Sequence, residues 1–208
     1  MLRGPPKGFD RTDLLSVDVD PAELLRLAFR AKASLLGFRD TARYRFDAPA
    51  GEFGVLYAAF DLATAFAETV LRTAPQAIPA GEEPILSYEE IARRRVAQLA
   101  ATPGGRSLRL VKLYDEGLAA AKVDNRIATD DDYATTRLWA RAFYDHRLQP
   151  DGLVYLSRFM GARRSVVLFD RCAGLLRRGR VTPLVKHPDF PGVVRDFRLA
   201  ISRPRRRR

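Results

Sequence analysis

The sequence is poor in the residues that form disulfides and metal centres. Among its 208 residues are one cysteine and two histidines. One cysteine, Cys172, can form no intrachain disulfide, and with His146 and His187 it supplies too few ligands for a Cys-rich zinc site or a multi-histidine metal cage. The composition is typical of a protein from a reducing compartment, and we expect no bound metal.

Long apolar runs and the common nucleotide-binding motifs are also missing. No stretch approaches the roughly 20 apolar residues that a membrane-spanning helix needs, and the first residues lack the apolar run of a signal peptide. Neither a Gly-x-Gly-x-x-Gly motif nor a P-loop occurs, and there is no Gly-x-Ser-x-Gly nucleophile elbow. We therefore expect a soluble, cytoplasmic protein without a Rossmann, P-loop or hydrolase-elbow site.

Lysine is scarce, yet the chain is basic. Its 36 Lys and Arg against 25 Asp and Glu give a net charge of +11, and nearly all of the cations are arginine. Arginine can hold a phosphate through two parallel hydrogen bonds, so an anionic ligand is compatible with this composition. Hydrophobic residues make up 47% of the chain, which is enough to bury a sizeable core. We divide the chain into a loose lead-in over residues 1–20, one domain over 21–202 and a basic tail over 203–208.

Hydrophobic periodicity predicts a mixed architecture. The apolar run 53–59 predicts a buried inner strand, and Asp61 can cap a helix that continues to about Arg72. In that helix Glu68 falls off the apolar stripe. The irregular order of elements favours the α+β class over a doubly wound sheet. Further strands are predicted at 43–46, 107–114, 152–158 and 165–170, helices at 88–101, 115–122 and 130–146, a loop at 75–84, either a helix or a strand at 21–30, and a loose segment after 170.

Three short motifs follow one another at characteristic spacings. Arg45-Phe46-Asp47-Ala48-Pro49 leads into a strand that reaches Tyr57, Glu68 lies eleven residues beyond that tyrosine, and Gly152-Leu-Val-Tyr-Leu-Ser157-Arg precedes an apolar strand. This layout resembles the RES family, named for Arg, Glu and Ser and typified by NAD-consuming toxins of bacterial toxin–antitoxin pairs. The resemblance implies an ADP-ribosyltransferase-toxin-like fold, with a split β core, flanking helices and a cleft for the dinucleotide.

The resemblance also implies roles for single residues. Glu68 would stabilise the positive charge that develops on the ribose when the nicotinamide–ribose bond breaks. Arg45, joined by the upstream Arg26, would hold the pyrophosphate. Tyr57 would offer a ring for stacking nicotinamide and a hydroxyl to orient it, and Ser157 would hydrogen-bond the nicotinamide ribose or amide. Arg158, on the opposite strand face from Ser157, is interpreted as structural.

Several alternatives stay open at this point. The reaction could be NAD hydrolysis, phosphorolysis or ADP-ribosyl transfer to a protein, and the resemblance implies a helical DNA-binding antitoxin as partner. Taken singly, Glu68 is more typical of a solvated helix residue and Tyr57 of a strand core. A basic nucleic-acid-binding module is the alternative from another class, but no aromatic residues alternate with the basic clusters, so direct nucleic-acid binding is not expected. Whether the chain forms a homo-oligomer is left open.

Overall fold

The computed structural model describes residues 2–29, 35–73 and 85–202. Eight strands form one sheet in the order β1-β6-β7-β8-β3-β2-β5-β9, and β4 and β10 form a separate parallel pair. With helices packed around the sheet, the predicted α+β class is confirmed. The strands are β1 Ser16–Val19, β2 Leu25–Phe29, β3 Val55–Ala59, β4 Ile85–Leu86, β5 Arg94–Ala101, β6 Leu108–Leu113, β7 Gly152–Leu156, β8 Arg164–Phe169, β9 Leu176–Pro183 and β10 Ala200–Ile201.

The helices begin largely where the capping residues predict. The carboxylate of Asp61 accepts a 2.8 Å hydrogen bond from the amide of Thr64 and so caps the first helix. Asp132 caps the longest helix in the same way. In the described residues, no helix is long and apolar enough to cross a membrane. The helices are α1 Leu62–Thr69, α2 Tyr88–Ala92, α3 Glu116–Ala120, α4 Arg126–Thr129, α5 Tyr133–Tyr144 and α6 Phe190–Asp196.

The central strand β3 is paired differently on its two edges. It pairs with β8 over its whole length, from Val55 opposite Phe169 to Ala59 opposite Ser165. Its other edge shares one registered pair with β2, Leu25 opposite Ala59, and beyond it the strands diverge. β2 instead pairs with β5 along all of its residues. The sheet is therefore split between β2 and β3, as the family resemblance implies.

The closed half of the sheet carries much of the core. Leu56, Val166 and Leu168 on neighbouring strands are fully buried, and each such side chain contributes roughly 1.5–3 kcal/mol through burial. Gly152 begins β7 where the neighbouring backbone is too close for a side chain. A Cβ atom there would lie 2.1 Å from the carbonyl oxygen of Val167. The glycine of the third motif thus permits close strand packing.

Two predicted elements near the split are wrong. Residues 43–46 form a turn instead of a strand, because the amides of Arg43 and Tyr44 donate to the Asp47 carboxylate and not to a neighbouring strand. The helix predicted over 88–101 ends at Ala92, and the rest is strand β5. Pairing with β2 and β9 overrides the helix propensity of this alanine-rich segment.

The described segments 2–20 and 171–202 contain more regular structure than expected. Within the predicted lead-in, β1 pairs antiparallel with β6, Leu2 and Phe9 are buried, and the indole of Trp139 donates a 2.7 Å hydrogen bond to the carbonyl of Arg3. The segment after residue 170 forms β9, α6 and β10. These elements depend on distant partners, which local periodicity does not reveal. In the ambiguous segment 21–30, Pro21–Glu23 form a short 3-10 turn and Leu25–Phe29 form β2. Residue 30, the predicted loop 75–84 and the tail 203–208 lie outside the described residues.

Candidate active site

A cleft of about 460 Å³ opens where β2 and β3 diverge. Its walls come from these two strands, the end of α1, the turn after residue 39 and the start of α5. The lining is strongly charged, with seven arginines against four carboxylates. These side chains are Arg26, Arg39, Arg43, Arg45, Arg72, Arg94 and Arg158, and Asp47, Glu68, Glu90 and Asp131.

The structure brings the five predicted site residues together. Four of them, Arg26, Arg45, Tyr57 and Glu68, line the cleft. Ser157 lies just behind its wall, 3% exposed, in contact with the glutamate. Residues that are far apart in the sequence therefore share one site because the split sheet places β2, β3, α1 and the end of β7 around the same space.

Glu68 sits in the last turn of α1, where it reaches the cleft. The hydroxyl of Ser157 donates a 2.7 Å hydrogen bond to its Oε1 atom and itself accepts one from the amide of Phe159 at 3.3 Å. Among the described residues, Oε2 receives no hydrogen bond. The serine thus fixes the orientation of the carboxylate and leaves one oxygen available to a ligand.

Arg45 is held close to Glu68 by contacts with the start of α5. Its guanidinium donates to the carbonyl of Asp130 and lies 4.9 Å from the ring centroid of Tyr133, a cation–π contact. Only 7% of Arg45 is exposed, and this burial lowers its pKa below the usual value. In the described part of the chain no carboxylate forms an ion pair with it, so its charge is available to an anionic ligand.

Tyr57 uses its hydroxyl on the turn that carries Arg45. The hydroxyl donates to Asp47 Oδ1 at 3.1 Å and accepts from the amide of Phe46 at 3.0 Å. Burial and the neighbouring Asp47 charge raise the pKa of Tyr57 well above its usual value. The hydroxyl therefore anchors the turn, and it is the ring of Tyr57 that faces the cleft.

Asp47 is a hydrogen-bonding centre that the sequence reasoning did not identify as part of the site. It is 1% exposed. Its carboxylate accepts one hydrogen bond from the Tyr57 hydroxyl on Oδ1 and three further hydrogen bonds on Oδ2. Four hydrogen bonds to one carboxylate fix the turn that presents Arg45 to the cleft. Its position between Phe46 and Pro49, inside the first motif, was the available signal. The three donors to Oδ2, each at 2.9 Å, are Thr41 Oγ1 and the amides of Arg43 and Tyr44.

Arg72 and Arg158 are further cleft residues that were missed. The Arg72 guanidinium lies 4.4 Å from the ring centroid of Tyr44 and 5.7 Å from that of Tyr133. Its place four residues after Glu68, one helical turn on, was a usable signal. Arg158 forms an ion pair with Asp131 across the cleft. β7 ends at Leu156, so the strand alternation that placed Arg158 on the opposite face from Ser157 does not extend to it, and its interpretation as structural stays a prediction.

Arg26 forms a second cationic group together with Arg39. It is 9% exposed, and its guanidinium donates a 3.0 Å hydrogen bond to the carbonyl of Gly37. Burial, and then the charge of Arg39, lower the pKa of Arg26 to about 10. Two like charges held together in a half-enclosed space favour an anion between them. Across the described ranges, no cluster of three or more His, Cys, Asp or Glu could hold a metal ion.

Comparisons with known proteins agree with this architecture. The RES domain model matches residues 23–191, so the chain belongs to the RES domain family. A relative, the probable toxin y4kH of Sinorhizobium fredii (strain NBRC 101917 / NGR234), is 28% identical over 112 residues, which are 53% of this chain and 87% of that protein. The fold is also similar to a chain in the crystal structure of the M. tuberculosis MbcT–MbcA toxin–antitoxin complex. That likeness has a TM-score of 0.61 at 16% identity and covers 94% of this chain and 99% of the other.

Proposed function

We propose that the protein is an NAD-consuming enzyme that cleaves the nicotinamide–ribose bond and acts as the toxin of a toxin–antitoxin pair. The observation that carries the proposal is the Glu68 carboxylate, fixed by Ser157 at the wall of a cleft rich in arginine. Membership of the RES domain family supports it. The relative that bears the name of a probable toxin favours the cellular role.

Glu68 supplies the electrostatic part of the reaction. The glycosidic bond breaks with its electron pair passing to the nicotinamide nitrogen, and positive charge builds on the ribose ring. The free oxygen of Glu68 accepts a hydrogen bond from a ribose hydroxyl and lies beside the developing charge, so it stabilises the transition state more than the bound substrate. The oxygen of water or phosphate, or a protein side chain, then bonds to the ribose carbon and loses its proton to solvent.

The other residues bind and orient the dinucleotide. Arg45 and Arg72, both next to the Tyr133 ring, hold the pyrophosphate close to Glu68. The ring of Tyr57 packs against nicotinamide, while its hydroxyl keeps the turn in place. Ser157 acts through Glu68 and is therefore a positioning residue. NAD is the substrate, and no step requires a metal.

A cognate antitoxin is the proposed protein partner. The structurally similar chain comes from a toxin–antitoxin complex, and the family resemblance implies a small helical DNA-binding protein that covers the cleft. An inhibitor of this kind would meet a surface with more cations than carboxylates. We therefore expect the contacting segment of the antitoxin to be acidic.

The test is nicotinamide release from NAD by the purified protein, with and without phosphate. We expect Glu68→Gln to lower kcat by roughly a hundredfold to a thousandfold, because one preorganised group at a developing charge is worth about that much. Glu116→Gln is the matched control, since Glu116 is an exposed glutamate at the start of α3 that pairs with Lys112 of β6. Its rate should equal that of the wild type.

A second variant examines the positioning of the carboxylate. Ser157→Ala should lower kcat by about threefold to tenfold, the value of one ordinary hydrogen bond, with a smaller change in KM. Equal nicotinamide release by Glu68→Gln and wild type would refute the mechanism. Release only in the presence of a protein acceptor would assign ADP-ribosyl transfer instead of hydrolysis or phosphorolysis.

A further inference from the structure

One polar side chain of the cleft makes no hydrogen bond in the fold. Ser165 lines the cleft and is 2% exposed, and its hydroxyl oxygen is buried without a hydrogen-bond partner among the described residues. Buried hydroxyls normally have partners, because leaving one unpaired costs free energy. An unpaired hydroxyl at the wall of a ligand site therefore indicates a group that a ligand satisfies.

Tyr155 adds a second free hydroxyl beside Ser165. The two residues are directly opposite in the pairing of β7 with β8, so their Cβ atoms lie roughly 5 Å apart on one face of the sheet. Tyr155 also lines the cleft, and within the described ranges its hydroxyl makes no hydrogen bond. Burial, and then the charge of Glu68, raise the pKa of Tyr155, so the hydroxyl keeps its proton and can donate it to a ligand.

This pair of hydroxyls lies close to the carboxylate of the proposed reaction. Tyr155 is two residues before Ser157, and two residues of extended chain span about 7 Å. The Ser157 hydroxyl is in turn bonded to Glu68 at 2.7 Å. Because Glu68 is proposed to act at the ribose that carries nicotinamide, the pair is placed for the ring attached to that ribose.

Small side chains around Ser165 leave room for part of that ring. Ser165 is opposite Ala59 of β3, and Ala65 lies three residues before Glu68 on the same face of α1. Both alanines line the cleft, and so does Tyr57, which shares a face of β3 with Ala59. A flat ring packed on Tyr57 can thus extend a substituent toward Ser165, whose hydroxyl can turn about the Cα–Cβ bond to meet it.

We propose that Ser165 and Tyr155 bind the carboxamide of the nicotinamide leaving group. The carboxamide oxygen accepts a hydrogen bond from Tyr155, and its NH2 group donates one to Ser165. Ser157, which the family resemblance placed on the ribose or the amide, uses its proton on Glu68, so the amide needs other partners. This inference rests on the proposed cleavage of the nicotinamide–ribose bond and adds the residues that select the leaving group.

Kinetics with two dinucleotides test this assignment: NAD and its 3-acetylpyridine analogue, in which a methyl group replaces the NH2 group. Ser165→Ala should lower kcat/KM for NAD by about threefold to tenfold, the value of one ordinary hydrogen bond, and for the analogue by less than about twofold. Tyr155→Phe should lower both values alike, because both substrates keep the carbonyl oxygen. Ser107→Ala, at an exposed serine outside the cleft, should keep both wild-type values. Equal losses for the two dinucleotides in Ser165→Ala would overturn the assignment.

The stability of Ser165→Ala separates a binding role from a structural one. Removing a hydroxyl that has no partner breaks no hydrogen bond in the free protein, so the urea midpoint should equal or exceed that of the wild type. A lower midpoint would show that the hydroxyl supports the fold and would count against the proposal.

Binding to the Glu68→Gln variant separates recognition from turnover. By calorimetry this variant should bind NAD more tightly than the acetylpyridine analogue, and adding Ser165→Ala should remove most of the preference. If the wild type released no nicotinamide while this preference was present, the proposed reaction would fail and the carboxamide site would stand. Absence of the preference would refute the carboxamide site whether or not the wild type releases nicotinamide.

Discussion

The two edges of strand β3 serve opposite purposes. Along one edge, β8 pairs with every residue from Val55 to Ala59. Along the other, β2 pairs at Ala59 alone and then turns away, and the cleft occupies the space between them. A single strand, β3, thus forms a complete hydrogen-bonded ladder along one edge and borders the cleft along the other.

The open edge is not simply left unpaired. Arg39 and Val55 exchange two backbone hydrogen bonds, at 2.9 and 2.8 Å, where β3 begins. Farther along the strand, the Tyr57 side chain is bonded to the turn around Asp47. The loop backbone at Arg39 therefore satisfies the edge at Val55, whereas the Tyr57 bonds are side-chain contacts that hold the neighbouring turn. Opening the sheet costs less when the replacement hydrogen bonds come from the functional loop itself.

The largest effect on stability should follow from a substitution at the closed edge of β3, the edge that is fully paired with β8. Leu168→Ala removes a fully buried side chain opposite Leu56, and the cavity should lower the free energy of unfolding by about 2–5 kcal/mol. Urea denaturation measures this change. Ile85→Ala, at a 76% exposed position, should alter stability by less than about 0.5 kcal/mol. Similar losses in the two variants would contradict the assignment of stability to the closed edge.

An intermediate effect is expected at the open edge, at Asp47. Asp47→Ala leaves the donors of the turn without their acceptor, which should cost about 1–3 kcal/mol of stability. Because the turn presents Arg45, KM for the dinucleotide should rise more than kcat falls. Asp47→Asn keeps an oxygen for the three donors to Oδ2 and should restore most of the loss. Lower stability with an unchanged KM would make Asp47 structural only.

The smallest effect concerns the pH dependence of stability. His146 is 1% exposed; its Nε2 bonds to the carbonyl of Thr12 at 3.0 Å and its Nδ1 accepts from the amide of Leu148 at 3.0 Å. Burial, the largest cause, lowers its pKa below 6.5, so the unfolded chain binds the proton more readily. The stability that neutral His146 contributes to the folded state is fully present above about pH 6.5 and is lost as the pH falls. The free energy of unfolding should then decrease by at most about 1.4 kcal/mol per pH unit.

Thermal or urea unfolding between pH 7 and pH 5 measures this contribution. His146→Gln should remove that part of the slope, because the glutamine has no proton to gain over this interval. His187, whose side chain is 16% exposed and lies near Asp189, offers the matched variant His187→Gln. A slope that persists in His146→Gln would show that other groups cause the acid sensitivity.

The sequence predicts the parts of the fold that depend on local pattern. β3, α1, β7 and β8 follow from apolar runs and from the Asp61 cap. β5 was predicted to be a helix because its alanines favour one, and only pairing with β2 makes it a strand. The turn at 43–46 was predicted to be a strand because its alternation is real, but the Asp47 side chain takes the amides that a sheet would need.

The same distinction applies to the site. Glu68, Arg45, Tyr57, Arg26 and Ser157 were found through ordered motifs, and the structure brings them to one cleft. Their catalytic and binding roles stay predictions. Tertiary placement alone brings the charge of Arg39 close to Arg26. It likewise places Arg72 against two tyrosine rings. Side-chain partners of this kind leave no periodic signal in a single sequence.

Trp139 is the one tryptophan in the chain, and its indole is bonded to the Arg3 carbonyl. When tryptophan is excited selectively, the fluorescence of the protein therefore comes from a single buried ring, 2% exposed, that packs edge-on against Phe9. Release of the first residues from α5 would expose this ring to water and shift its emission to the red. The protein thus contains its own optical reporter for the docking of its N-terminal segment, at a position outside the residues that line the cleft.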